Sequence, residues 1–97
     1  MIKRKNEYSL KEVLDQLVKA YGLEGKLLET RIINSWEKVV GRILARHTTH
    51  LSIKNRILYV SLDSSVLRNE LSMARSKLVD SLNKEVGQKV IEDIILR

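Results

Sequence analysis

Between Leu10 and Tyr21 the apolar residues fall at Leu10, Val13, Leu14, Leu17 and Tyr21. This spacing of three and four puts them on one face of an α-helix. Ser9-Leu10-Lys11-Glu12 opens the run as an S-x-x-E capping box, in which Ser9 and Glu12 satisfy free amide donors at the helix start. Gly22 is placed to end the helix. A longer run follows. Leu28, Ile32, Trp36, Val39, Val40, Ile43 and Leu44 keep the 3.6 period, which predicts one helix over about Glu24 to His47. Trp36 lies on its apolar face and is expected to anchor the core. Arg31, Ser35, Lys38 and Arg42 fall on an adjacent face, with Arg46 on its flank. Gly41 in a helix interior costs about 1 kcal/mol relative to Ala, so its expected use is steric, as a point of close packing.

The period then drops to 2. Leu51 and Ile53 alternate with Ser52 and Lys54. After Asn55-Arg56, Leu58, Val60 and Leu62 alternate with Tyr59, Ser61 and Asp63. This predicts a β-hairpin with Asn55, a residue tolerant of positive φ, in the turn. Asp63-Ser64-Ser65 supplies candidate caps. Leu67, Leu71, Ala74, Leu78 and Leu82 form the inner stripe of a third helix ending near Gly87, and Val90 to Leu96 read as a third strand. The fold class expected is α+β, in the order α-α-β-β-α-β, with a small three-stranded sheet and helices packed on one face. The third strand runs parallel to the second if the intervening helix crosses over once. Its neighbour, first strand or second, is left open. Residues 1–8 read as a flexible basic tail and 9–97 as one domain, with no repeat, linker or low-complexity segment.

Composition narrows the function classes. The 97 residues include no cysteine, which excludes disulfides, thiolate metal sites and thiol nucleophiles. No apolar run approaches the roughly 20 residues of a membrane span, and no apolar signal core follows Lys3-Arg4-Lys5. A cytoplasmic protein is expected, with no membrane partner. The formal net charge of +6 favours an anionic partner.

Catalysis finds little support. His47 and His50 lack a third metal ligand, Ser64 and Ser65 sit in no nucleophile elbow, and no phosphate-binding glycine loop occurs. Neither enzyme activity nor a cofactor or metal is expected. The basic residues lead further. Arg31, Lys38 and Arg42, with Arg46, form a candidate stripe for phosphates. Lys54 and Arg56 sit at the hairpin tip. Such contacts give affinity and salt dependence but little sequence choice, so a nucleic-acid partner read without strong sequence specificity is expected. Glu29, Glu37, Glu70 and Glu92 dilute the pattern. Tyr59, opposite Leu58 and Val60, is the more exposed aromatic candidate, although the sequence does not say which sheet face is wet.

The ordered series Trp36-Glu37-Lys38-Val39-Val40-Gly41, His47-Thr48, Leu58-Tyr59-Val60, Ser64-Ser65, Glu70-Leu71 and a closing Ile94-Ile95-Leu96-Arg97 resembles the DciA-like family, long described as a domain of unknown function. The resemblance covers roughly residues 10 to 97. It implies a KH-like fold, binding of nucleic acid including single strands, with DNA, single- or double-stranded, as the expected partner, and no cofactor. It also implies association with the bacterial DnaB-type replicative helicase, whose loading at replication initiation these proteins assist. The matching motif residues are Trp36, Gly41, His47, Thr48 and Leu71, most of them expected to be structural. Two departures stand out. A nucleic-acid-binding KH domain carries a G-x-x-G loop between helices, whereas Gly41-Arg42-Ile43-Leu44 lacks the second glycine. Better-known members also carry a flexible extra segment that contributes to DNA and helicase contact. The sequence here stops at Arg97, so the short form is expected either to work alone or to do part of the task. The competing expectation is a protein-interaction module whose basic surface has no direct nucleic-acid role. Oligomeric state is open.

Overall fold

The computed structural model describes residues 9–97; Lys3, Arg4 and Lys5 of the expected tail lie outside the described residues. The elements run α1 (Leu10–Ala20), α2 (Glu24–Asn34), α3 (Trp36–Val40), α4 (Arg42–Arg46), β1 (Thr48–Lys54), β2 (Ile57–Leu62), α5 (Ser65–Ser72), α6 (Arg75–Val86) and β3 (Asp93–Leu96). This is an α+β fold with a small mixed sheet. β2 is the central strand, antiparallel to β1 and parallel to β3, which settles the neighbour of the third strand.

The capping box forms as expected. The Ser9 hydroxyl accepts from the Glu12 amide at 3.1 Å, and the Glu12 carboxylate accepts from the Ser9 amide at 2.9 Å. The Ser9 backbone and hydroxyl donors hold the Glu12 carboxyl below the usual carboxylate range. The apolar stripe behind the box departs from expectation. No residue of α1 is buried, and Leu14 is 50% exposed. The stripe finds no covering element among the described residues, so periodicity identified the helix but not its burial.

The long second helix is three pieces. Ser35 closes α2, its hydroxyl donating back to the Arg31 carbonyl at 2.8 Å. At Gly41 the backbone turns to φ 91°, ψ 167°, a region open essentially to glycine alone. Helical hydrogen bonding stops there and restarts in α4. The expected steric role for Gly41 is therefore wrong, since nothing lies within 4 Å of the Cβ it lacks. Its role is conformational. Gly41→Ala should accordingly cost about 1 to 3 kcal/mol despite the open space, measured as a shift in urea unfolding. An unchanged midpoint would mean that the α3–α4 corner relaxes freely.

The third helix is also divided, at Met73-Ala74, into α5 and α6. Ser64 caps α5 by accepting from the Leu67 amide at 3.3 Å, and Gly87 ends α6 in the left-handed conformation at φ 89°. The third strand begins at Asp93 rather than Val90. Val90 and Ile91 are buried but lie in a loop, where the Asn83 side chain satisfies their backbone: its Oδ1 accepts from the Val90 and Ile91 amides at 2.9 and 3.0 Å, and its Nδ2 donates to the Ile91 carbonyl at 2.9 Å.

One sheet face takes the helices. Leu58, Val60 and Leu62 of β2 and Ile94 of β3 close with Ile32, Trp36, Leu71, Leu78, Val79 and Leu82 into one apolar cluster. No helix among the described residues is long and apolar enough to cross a membrane.

Candidate nucleic-acid interface

All six candidate cations, Arg31, Lys38, Arg42, Arg46, Lys54 and Arg56, are exposed. Arg31, Lys38, Arg42 and Arg46 do not lie along one continuous helix as expected, because the breaks at Ser35 and Gly41 redirect the chain between them; Lys54 and Arg56 lie at the hairpin tip. Lys38 turns toward α6 and pairs with Glu85. Arg56 is a structural latch. It sits with Asn55 at positive φ, 66° and 53°, in the two-residue hairpin turn. Its Nε meets Glu92 at 3.0 Å, its Nη2 donates to the Lys89 carbonyl at 3.0 Å, and its own carbonyl accepts from the Glu92 amide at 2.7 Å. The hairpin tip is thereby tied to the segment entering β3. Arg31, Arg42, Arg46 and Lys54 make no ion pair with another described residue. Arg42 and Arg46 lie one turn apart and so share a face of α4. Lys54 is at the far end of β1, roughly 20 Å along the strand from α4 at 3.3 Å per residue. The structure therefore brings two of the six together.

The helix-free face of the sheet carries a second group. Cross-strand register places Lys54, Ile57 and Asp93 in one row and Ser52, Tyr59 and Ile95 in the next. His50 pairs with Ser61. Arg97 lies beside Ser61, because its amide donates to the Val60 carbonyl at 2.9 Å and its carbonyl accepts from the Leu62 amide at 2.8 Å. The Arg97 guanidinium sits 4.8 Å from the centre of the Tyr59 ring. Asp93 is held by Arg75 at 3.3 Å.

Trp36 is 3% exposed, and its indole N–H donates to the Thr48 hydroxyl at 2.9 Å, which donates in turn to the Leu44 carbonyl at 2.8 Å. His47 follows α4, and its Nδ1 faces an Asp63 carboxylate oxygen at 2.8 Å while its carbonyl accepts the Asp63 amide at 3.0 Å. These contacts pin α3 and α4 to the start of β1 and the end of β2. Among the described residues no group of three or more His, Asp or Glu side chains is arranged to hold a metal ion.

Residues 9–96 match the family model described as "Dna[CI] antecedent, DciA". The chain belongs to the DciA family. A UPF0232 protein of Corynebacterium glutamicum (strain R) is 26% identical over 86 residues, which are 89% of this chain and 48% of that protein. A UPF0232 protein in the recF-gyrB intergenic region of Mycolicibacterium smegmatis is 29% identical over 79 residues, 81% of this chain and 41% of that protein. The chain thus spans under half the length of these two relatives.

Within this DciA-family chain the motif residues do structural work. Trp36 and Leu71 are core, Gly41 makes the α3–α4 corner, and His47 and Thr48 carry the bonds just described. The α3–α4 and α5–α6 corners lack a G-x-x-G backbone clamp, since Gly41 is followed by Arg-Ile-Leu and the α5–α6 corner is Ser72-Met73-Ala74-Arg75; the spacing occurs instead at the α1–α2 corner, as Gly22-Leu23-Glu24-Gly25. Sequence reasoning missed Arg97 as a neighbour of Tyr59. The alternation of β2 pointed to Tyr59, but Arg97 needed the parallel register of β3.

Proposed function

We propose that this DciA-family chain is a non-catalytic nucleic-acid-binding accessory protein that associates with the DnaB-type replicative helicase and assists its loading at replication initiation. The observation that carries the reading is the family match across residues 9–96, under a description that names an antecedent of the Dna[CI] proteins. The net charge of +6 supports the DNA-contacting half. Arg42 and Arg46 on one face of α4, with Arg31 and Lys54 also free of acidic partners among the described residues, are the side chains proposed to meet phosphates. Lys38 and Arg56, already paired, contribute less. Holding DNA on one surface and helicase on another raises the local concentration of each near the other. This role needs neither cofactor nor bond chemistry and belongs in the cytoplasm.

Fluorescence anisotropy with labelled single-stranded DNA at two salt concentrations tests the DNA half. Binding is expected to tighten as salt falls. The triple variant Arg31→Glu, Arg42→Glu, Arg46→Glu should bind at least about tenfold more weakly and lower the log–log salt slope by about 2, at roughly 0.7 per lost single-strand phosphate contact. Absence of binding at low salt would remove this half of the proposal. The uncovered apolar stripe of α1 favours a second reading, a protein-interaction module without a direct nucleic-acid role. Unchanged DNA affinity in the triple variant, together with lost helicase capture, would select it.

A further inference from the structure

We propose that the helix-free face of the sheet is a stacking platform for single-stranded nucleic acid, with Tyr59 as the ring on which a base lies and Arg97 as its cationic partner. This rests on the DNA-binding reading above and assigns it a site that the six candidate cations do not define.

A sheet with one wet face normally presents polar side chains there. This face instead has an apolar middle, with Ile57, Tyr59 and Ile95 adjacent across β2 and β3 and Ile95 40% exposed. On one side of Tyr59 the neighbours are small: Ser52 pairs with it across β1, and Ser61 follows two positions on along β2. The ring is therefore open toward Ser52 and Ser61, with Ile57, Ile95 and Arg97 on its other sides. Two backbone bonds to β2 fix the main chain of Arg97 beside Ser61, within reach of the ring over which its guanidinium lies. A guanidinium plane is itself a stacking surface, and its N–H groups donate hydrogen bonds to phosphate oxygens. Lys54 and Arg97 occupy opposite corners of the face, with His50 at a third corner. The acid at the fourth corner, Asp93, is already matched by Arg75.

With Asp93 matched, Lys54 and Arg97 leave the face net positive, and Ile57, Tyr59 and Ile95 make its centre apolar. That combination is complementary to a strand whose bases are exposed and whose phosphates lie to either side. A duplex keeps its base faces inside the stack and meets only the rim. The occupant assigned is accordingly a single strand, bound without strong sequence choice.

The test uses the 97-residue chain with a fluorescein-labelled thymidine oligonucleotide and a labelled duplex of equal length, in anisotropy titrations at fixed salt. Tyr59→Ala is expected to weaken single-strand binding roughly 5- to 150-fold, the range found for removing one base–aromatic stack. Tyr59→Phe should stay within about twofold of the parent, because the π-face persists. Tyr59→Leu keeps apolar cover over the sheet but should fail like alanine, so a folding defect in the alanine variant does not decide the matter. Duplex affinity and the salt slope should not change in any of the three, since no charge is lost. Single-strand binding that survives both Tyr59→Ala and Tyr59→Leu would overturn the platform and leave the DNA-binding reading standing. Equal losses for duplex and single strand would also overturn it. A parent chain that binds no DNA at low salt would remove the DNA-binding reading, and the platform with it.

Discussion

Trp36→Ala is expected to lower folding stability by about 3 to 5 kcal/mol. The indole is almost wholly buried in the apolar cluster that also holds Ile32 and Val60. Truncation removes that packing and also strips the Thr48 hydroxyl of the donor it accepts from. Thr48→Val separates the two effects. It leaves the ring in place but orphans a buried indole N–H, with an expected cost of about 1 to 3 kcal/mol. Urea unfolding followed by far-UV circular dichroism measures both. Because the indole faces the core, DNA affinity of the folded Trp36→Ala protein should change little. A loss below about 1 kcal/mol accompanied by weaker DNA binding would instead make Trp36 an exposed contact residue.

The second large effect is expected at Asn83. Its side chain is the sole side-chain partner, among the described residues, for the amides of Val90 and Ile91 and the carbonyl of Ile91. Each buried group left unpaired costs about 1 to 3 kcal/mol, with some recovered by water, so Asn83→Ala should cost about 2 to 4 kcal/mol. Hydrogen exchange gives a sharper readout, since the Val90 and Ile91 amides should lose protection beyond the global change. The consequence reaches the proposed platform. This loop sets the start of β3, whose register puts Ile95 beside Tyr59. A change under about 0.5 kcal/mol would show that the backbone of the loop, and not Asn83, fixes that register.

Much of the fold was legible because short-range chemistry dictated it. Ser9 and Glu12 form the expected capping box, Asn55 takes the positive φ of a hairpin turn, and Gly87 ends α6 in the left-handed conformation. Trp36 falls in the core as its spacing predicts. The breaks at Ser35 and Gly41 were not legible, since the apolar residues on either side stay in phase with a continuous 3.6 period. A helical wheel drawn through them makes Arg31, Lys38 and Arg42 neighbours that the chain then separates. The same reasoning made Gly41 a packing position, although its need is a backbone angle. Val90 and Ile91 read as strand because they are β-branched and buried, but burial says nothing of hydrogen-bond partners, and theirs come from Asn83. The stripe of α1 was legible as a helix but not as an uncovered one, because periodicity reports a face and not what lies against it. For the candidate site, sequence located the cations but not their acids: Glu85 and Glu92 take up Lys38 and Arg56 only in three dimensions.

Co-purification of the tagged chain with the DnaB-type helicase of the same organism, with and without single-stranded DNA, tests the helicase role most directly. Helicase retained without DNA, and retained in greater amount when DNA is added, is the expected result. No retention under either condition, from a chain whose circular dichroism shows it folded, would contradict the role.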